Sequence, residues 1–233
     1  MSVFAHLVER LADLLHPLFG ATAAAAAIVL FTALVRLLVH PLSRAAARGQ
    51  KARTALQPRI AELRRKHADK PEELQRAVLE LHAEEKVSPL SGLLPSLCQV
   101  PAFFLLYHLF SSSSIGGEDN GLLGHRLFDA PLGDRWSDAL AEGGLFGAAG
   151  LVYLGLFAVV AVVASFNFVR AKRVPLPRIG DGEEVPGVGT ITKVMPFLSF
   201  FTLVTVAVVP LAAALYVITS TTWSALERAA LYR

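Results

Sequence analysis

The sequence predicts an all-α integral membrane protein: five transmembrane helices around a hydrophilic groove open to the cytosol, with a helical hairpin projecting into the cytoplasm. Three observations carry that prediction. Hydrophobic residues make up 54% of the 233, and the mean hydropathy is +0.51. Apolar stretches long enough to cross a bilayer recur along the chain. The polar residues within those stretches gather on one side.

Residues 1–20 carry Glu9, Arg10 and Asp13 where a cleavable signal peptide would need an apolar run. Val3, Leu7, Leu11, Leu14, Leu15 and Leu18 recur at helical spacing instead, so an amphipathic helix in the outer interface is expected, with Pro17 to Gly20 turning the chain inward. The first transmembrane helix is assigned to residues 21–41. Its run from Ala21 to Val39 holds a single charge, Arg36. A cation at that depth costs about 2.5–3.5 kcal/mol even on the lenient insertion scale, so it reads as a functional site with a partner or water. No acid lies in any other apolar run. Water or a visiting ligand is therefore the expected solvent of the guanidinium; the alternative is snorkelling to headgroups about 7 Å away.

Residues 42–90 hold eleven Lys and Arg against seven acids. Ile60 and Leu63, then Leu74, Val78 and Leu81, mark two amphipathic helices separated by His67 to Pro71, an antiparallel hairpin with Pro71 at a first helical position. Its charge suits lipid headgroups, ribosomal RNA or a targeting partner. The alternative is a solvated loop that fixes topology. No aromatic residues interleave the cations, so specific nucleic-acid readout is not expected.

The second span is placed at 91–112, an extracytoplasmic loop at 113–144, the third span at 145–169 and a cytoplasmic loop at 170–193. The uncharged run from Val194 to Leu226 has 33 residues, a helix of about 50 Å against a hydrocarbon core of about 30 Å. Pro210 at its centre favours a reversal, which divides it into a fourth span at 194–209 and a fifth at 210–227, leaving a tail at 228–233. Basic residues concentrate in 42–90, 170–193 and the tail, whereas the loop at 113–144 carries six acids. The positive-inside rule then puts the N-terminus outside and the C-terminus in the cytoplasm.

In this orientation Arg36, Gln99, Asn167, Ser199, Thr202, Thr219 and Ser220 all fall in the inner half of the membrane. Thr32, Arg36 and His40 share one helix face at i, i+4 spacing. A wet vestibule that enters from the cytoplasm and stops partway accounts for this bias. Other chemistry is not indicated. The single cysteine, Cys98, allows no disulfide within the chain; the histidines lack metal-ligand spacing; and the glycines at 180, 182, 187 and 189 lack a phosphate-loop pattern. No acid, base and nucleophile can be grouped, so neither an enzyme nor a cofactor is expected.

Several landmarks stand in a familiar order: Val35-Arg36 to Pro41-Leu42-Ser43, Gln57-Pro58-Arg59-Ile60, Val87 to Pro95, and Gln99-Val100-Pro101-Ala102-Phe103-Phe104 with Tyr107. Leu127 to Leu132, Met195-Pro196-Phe197, Pro210 to Tyr216 and Ser220 to Trp223 follow. Together they resemble the YidC, Oxa and Alb family of membrane protein insertases over nearly the whole chain. The resemblance implies a five-helix core of the bacterial plasma membrane in which the Arg of the first core helix, here Arg36, receives the polar part of a nascent membrane protein. It puts Gln99 and Asn167 in the groove, to which the polarity of the inner half adds Thr32, His40, Thr202 and Ser220, and it puts Phe103, Tyr107, Phe197 and Phe201 on the surface along which a substrate slides. Implied partners are nascent membrane proteins and the lipid bilayer, with the 42–90 hairpin as the place for a ribosome, signal-recognition machinery or Sec translocon to dock. The chain departs from the family's pattern at Pro210-Leu211-Ala212, at Val217 after Tyr216 and at Thr219-Ser220. It also carries neither the large extracytoplasmic domain of some members nor the long basic tail of others. Two other function classes fit the residues less well: a small anion transporter or channel using Arg36, and a non-transporting membrane scaffold.

Overall fold

The computed structural model describes residues 2–68, 70–85, 100–101, 103–104, 107–108, 112, 114–115, 118–173 and 195–231. Helices dominate. Helix α1 (Ser2–Phe19) buries Val8 and Ala12 in the main core, with Leu11 and Leu15 packed beside them. Leu7, Leu14 and Leu18 of the same helix point away from the protein. A helix apolar on both its packed and its outward side suits a lipid surround better than water. The turn that follows differs from expectation. Pro17 is inside α1, and the chain instead reverses at the 3-10 turn Gly20–Thr22, where Gly20 takes a φ of +53° that a side chain would disfavour.

Helix α2 (Ala23–Lys66) is a single helix of 44 residues, about 66 Å long. It passes through Pro41 and Pro58, so the helix of the expected first span runs on into the expected hairpin. Each proline removes one intrahelical hydrogen bond; the alanines, arginines and glutamines that follow are strong helix formers and carry the helix on. The apolar span and the first arm of the hairpin are thus one rigid element. Arg64, Arg65 and Lys66 in its last turn complement the negative end of the helix.

Helix α3 (Pro71–Glu84) starts on Pro71, has Glu72 and Glu73 in its first turn, and folds back on α2. Leu81 buries against Leu56 and Ile60, with Ala52, Leu63 and Val78 around them. Arg59 pairs with Glu85, and Lys70 with Glu73 at 2.9 Å. These exposed pairs contribute little; the apolar contacts hold the arms together.

The segment from 114 to 147 is more structured than a plain loop. Two small antiparallel ladders, β1 (Ser114–Ile115) with β2 (Glu118–Asp119) and β3 (Arg126–Leu127) with β4 (Ala130–Pro131), precede helix α4 (Trp136–Gly143). Asp138 Oδ2 accepts from the Arg135 backbone N–H at 2.9 Å and caps α4. Ala130, Leu132 and Ala139 enter the main core. Trp136 packs on Tyr153 and Phe157 of helix α5 (Ala148–Arg173), at 5.5 and 5.2 Å between ring centres.

This segment also closes the end of helix α7 (Leu211–Leu231). A helix start leaves N–H groups without intrahelical partners. Here Leu211 N donates to the Asp134 carbonyl at 2.8 Å and Ala212 N to that of Leu132 at 3.0 Å. Tyr153 Oη donates to the same Asp134 carbonyl at 2.7 Å, which ties α5 to the cap.

Burial pushes the Asp134 carboxyl above its usual range, and Asp138 and Glu142 push the same way against a smaller opposing effect of Arg126. The folded state therefore holds this proton more tightly than the unfolded chain. That contribution favours folding at pH below the unfolded pKa and is lost as pH rises through the folded one. Asp134→Asn, which keeps the carbonyl and removes the charge, is expected to raise the unfolding temperature at neutral pH and to flatten its fall from acid to neutral. A pH series of thermal unfolding in detergent tests this; an Asn variant less stable than wild type at pH 7 would contradict it.

The stretch Met195–Phe200 is 3-10 helical and leads into helix α6 (Phe201–Val208). Fully buried Pro210 separates α6 from α7. A second cluster joins Val160 of α5, Val206 of α6 and Ala213, Ala214 and Ile218 of α7, with Phe103 and Tyr107 against it. Among the described residues, two helices are long and apolar enough to cross a membrane: the one reaching Lys66, and Ala148–Lys172. Most of the expected second span, residues 174–193 of the expected connector and the first residue of the expected fourth span lie outside the described residues.

Candidate functional site

The interface between α2 and α7 brings two polar stripes face to face. On α2, Thr32, Arg36 and His40 follow at i and i+4. On α7, Ser220, Ser224 and Glu227 follow at i, i+4 and i+7, the spacing of one helix face. Small residues allow the approach. Ala24, Ala25 and Ala27 of α2 and Ala212 of α7 are all buried in the main core, and small side chains let helix backbones come close.

Arg36 is 9% exposed. Its Nε donates to Ser220 Oγ at 3.0 Å, and its Nη2 donates to the Ser220 carbonyl at 2.7 Å and to Ser220 Oγ and Ser224 Oγ at 2.6 Å each. This differs from the sequence expectation of a guanidinium served by water or ligand alone. Its partners are 184 and 188 residues away in the chain. A guanidinium has five N–H donors in a planar fork, and a helix can meet them with hydroxyls and a carbonyl without supplying a carboxylate. Neutral acceptors leave the positive charge uncancelled. Arg36 makes no ion pair among the described residues.

One turn further along α2, His40 Nδ1 lies 2.6 Å from Glu227 Oε1. The carboxylate is the more enclosed partner, 12% exposed against 37% for the histidine. Sequence reasoning missed Ser224 and Glu227. Glu227 fell just beyond the last apolar run and Ser224 within it, yet their spacing from Ser220 already put them on one face.

The remaining expected residues divide. Thr32 is fully buried, and its hydroxyl donates to the Ile28 carbonyl of its own helix at 2.7 Å. Ser220 is fully buried against Arg36. Asn167 on α5 has its Oδ1 buried with no hydrogen bond among the described residues, as do Thr222 Oγ1 and Trp223 Nε1 on α7. Thr202 on α6 is half-buried. Gln99 and Cys98 lie outside the described residues. Of the four aromatic residues expected to guide a substrate, Phe103 and Tyr107 stack on each other at 6.0 Å and pack into the core, Phe103 also meeting Tyr216. Phe197 and Phe201 are exposed, with Phe168 edge-on to Phe197 at 5.0 Å. Among the described residues, no group of His, Cys, Asp and Glu could hold a metal ion.

Comparison with known proteins gives a family match and a set of relatives. The model of the family described as 60Kd inner membrane protein matches residues 14–233. A membrane protein insertase YidC of Clostridium perfringens (strain 13 / Type A) is 42% identical over 84 residues, 36% of this chain and 35% of that protein. A membrane protein insertase YidC of Francisella tularensis subsp. novicida (strain U112) is 37% identical over 113 residues, 48% of this chain and 20% of that protein. These matches thus span well under two thirds of the relatives' own lengths. With landmarks running from the first apolar span to the last helix and a family match over nearly the whole chain, the protein belongs to the 60Kd inner membrane protein family, the YidC and Oxa group that its motifs resemble.

Proposed function

We propose that this chain is a membrane protein insertase, which receives the polar part of a nascent transmembrane segment at Arg36 and releases the segment into the bilayer. The observation that carries the reading is a buried guanidinium bonded to two serine hydroxyls and a backbone carbonyl, a cation held in place with no ion pair among the described residues. Hydroxyls and a shared carbonyl hold a guanidinium more weakly than a bidentate carboxylate does. An acidic client side chain can therefore displace them, and the serines, which can donate as well as accept, can turn to other partners.

In this reading five spans form the core, with the N-terminus outside and the C-terminus in the cytoplasm. The groove opens to the cytosol and inner leaflet between α2 and α7, and Gln99, Asn167, Thr202 and His40 contribute to its polar lining. Phe197 and Phe201, which face out of the protein, guide the departing segment, with Phe103 and Tyr107 further along its path. The basic hairpin of α2 and α3 is the docking surface for ribosome, signal-recognition machinery or Sec translocon. No catalytic group or cofactor takes part. A client helix gains several kcal/mol by entering lipid, at about 0.3–0.6 kcal/mol for each strongly apolar residue. An acidic tail moving outward gains about 2.3 kcal/mol per charge per 100 mV.

The test is reconstitution into lipid vesicles with a single-span client whose short acidic tail must cross. Protection of that tail from added protease, above the level in protein-free vesicles, is the expected result. Equal protection with and without protein overturns the reading, and anion uptake in place of insertion would favour a transporter.

A further inference from the structure

Two polar layers lie side by side at the α2–α7 interface. In the first layer Arg36 is held by Ser220 and Ser224. In the second, His40 holds Glu227 at 2.6 Å. The layers are adjacent on both helices: His40 is four residues beyond Arg36, and Glu227 three beyond Ser224, a rise of about 4.5 Å. A glutamate side chain spans that distance. Glu227 is already close enough to act electrostatically on Arg36, as is the opposing Arg228.

We infer that Glu227 is a resident competitor for the guanidinium, held away from Arg36 by His40, so that the His40–Glu227 pair determines how strongly the site prefers acidic clients. The inference rests on the proposed insertase reading. A client carboxylate reaching Arg36 meets the same fork that Glu227 would meet if it swung one turn along the helix. In the structure it does not, because its Oε1 is bonded to the imidazole Nδ1, an N–H donor in either the neutral Nδ1–H tautomer or the protonated ring. The carboxylate is nearly enclosed, so losing the imidazole leaves Arg36 and Ser224 as its nearest replacement donors among the groups just described. Held by His40, Glu227 only tempers the field at the site; freed from it, Glu227 occupies the site.

The sign pattern of three variants tests this, read as the ratio of insertion of an acidic-tailed client to that of the same client with a neutral tail, in reconstituted vesicles. His40→Ala is expected to lower the ratio about fivefold, in the range of couplings between side chains in one network. Glu227→Gln, which keeps a hydrogen-bonding group of the same size, is expected to raise it two- to threefold. The double variant should return to or above the wild-type ratio, because there is no longer a carboxylate to occupy the site. A pair that merely ties α2 to α7 would lower insertion of both clients in all three variants and leave the ratio unchanged; that result overturns the inference. Arg36→Ala separates the two levels of argument. If that variant keeps the wild-type ratio, the Arg36 reading itself fails. If it abolishes the preference while the His40 and Glu227 variants match wild type, only the competitor role fails.

Discussion

Arg36→Ala is expected to cut insertion of an acidic-tailed client by about 10- to 100-fold, with a smaller effect on thermal stability. Hydrogen bonds to a charged group contribute about 1.5–3 kcal/mol, and each 1.4 kcal/mol is a factor of ten in rate or equilibrium. A client carboxylate that loses the guanidinium loses at least one such bond together with the charge that attracts it. Stability should respond less because two effects oppose each other. Truncation leaves a cavity and removes the guanidinium that the Ser220 and Ser224 hydroxyls bind; it also removes the cost of holding an almost fully buried cation away from water. Arg36→Lys should fall between. An ammonium keeps the charge but not the planar fork, and it cannot match the combination of Ser220 Oγ, Ser220 carbonyl and Ser224 Oγ that the guanidinium reaches. The measurements are tail protection in vesicles and unfolding temperature in detergent. Full activity of the Ala variant would remove Arg36 from the mechanism.

The second large effect is expected from a site without polar chemistry. Ala27 is fully buried in the core shared by α1, α2, α5 and α7, together with Ala24, Ala25, Ile28, Ala212 and Tyr153. Ala27→Leu is expected to destabilise by about 1–3 kcal/mol through overpacking, a fall of about 2–12 °C in unfolding temperature for a chain of this size. Insertion should fall with it, since the same two helices carry Arg36 and its serine partners a few turns further on. Leu38→Ala is the control. Leu38 is 84% exposed on the outward side of α2, makes no core contact, and should change the unfolding temperature in detergent little. An Ala27→Leu protein as stable as wild type would refute close packing of α2 on its neighbours.

The site was only half visible before folding. Arg36 announces itself because a lone cation in an apolar run is improbable on energetic grounds, and the face it shares with Thr32 and His40 follows from helical periodicity alone. Its acceptors do not announce themselves in the same way. Serines within an apolar helix are common and cheap, and nothing local tells that Ser220 and Ser224 are turned towards Arg36, or that Glu227 is turned towards His40. Thr32 shows the reverse case. Its position on the polar stripe made it a candidate for a wet lining, yet its hydroxyl is satisfied by the carbonyl four residues back and is sealed in the core.

By itself the sequence determined the membrane-protein class, the family, the helical character of the amphipathic segments and the position of the buried Arg36, because hydropathy, charge placement and helical periodicity act between residues near one another in the chain. Tertiary structure alone decided two things. It folded residues 125–139 into a cap that takes up the free N–H groups of α7. It also chose the acceptors of Arg36 from a helix more than 180 residues away, since that choice depends on which backbones can approach each other closely, and the alanines lining α2 and α7 settle it only once both helices are packed.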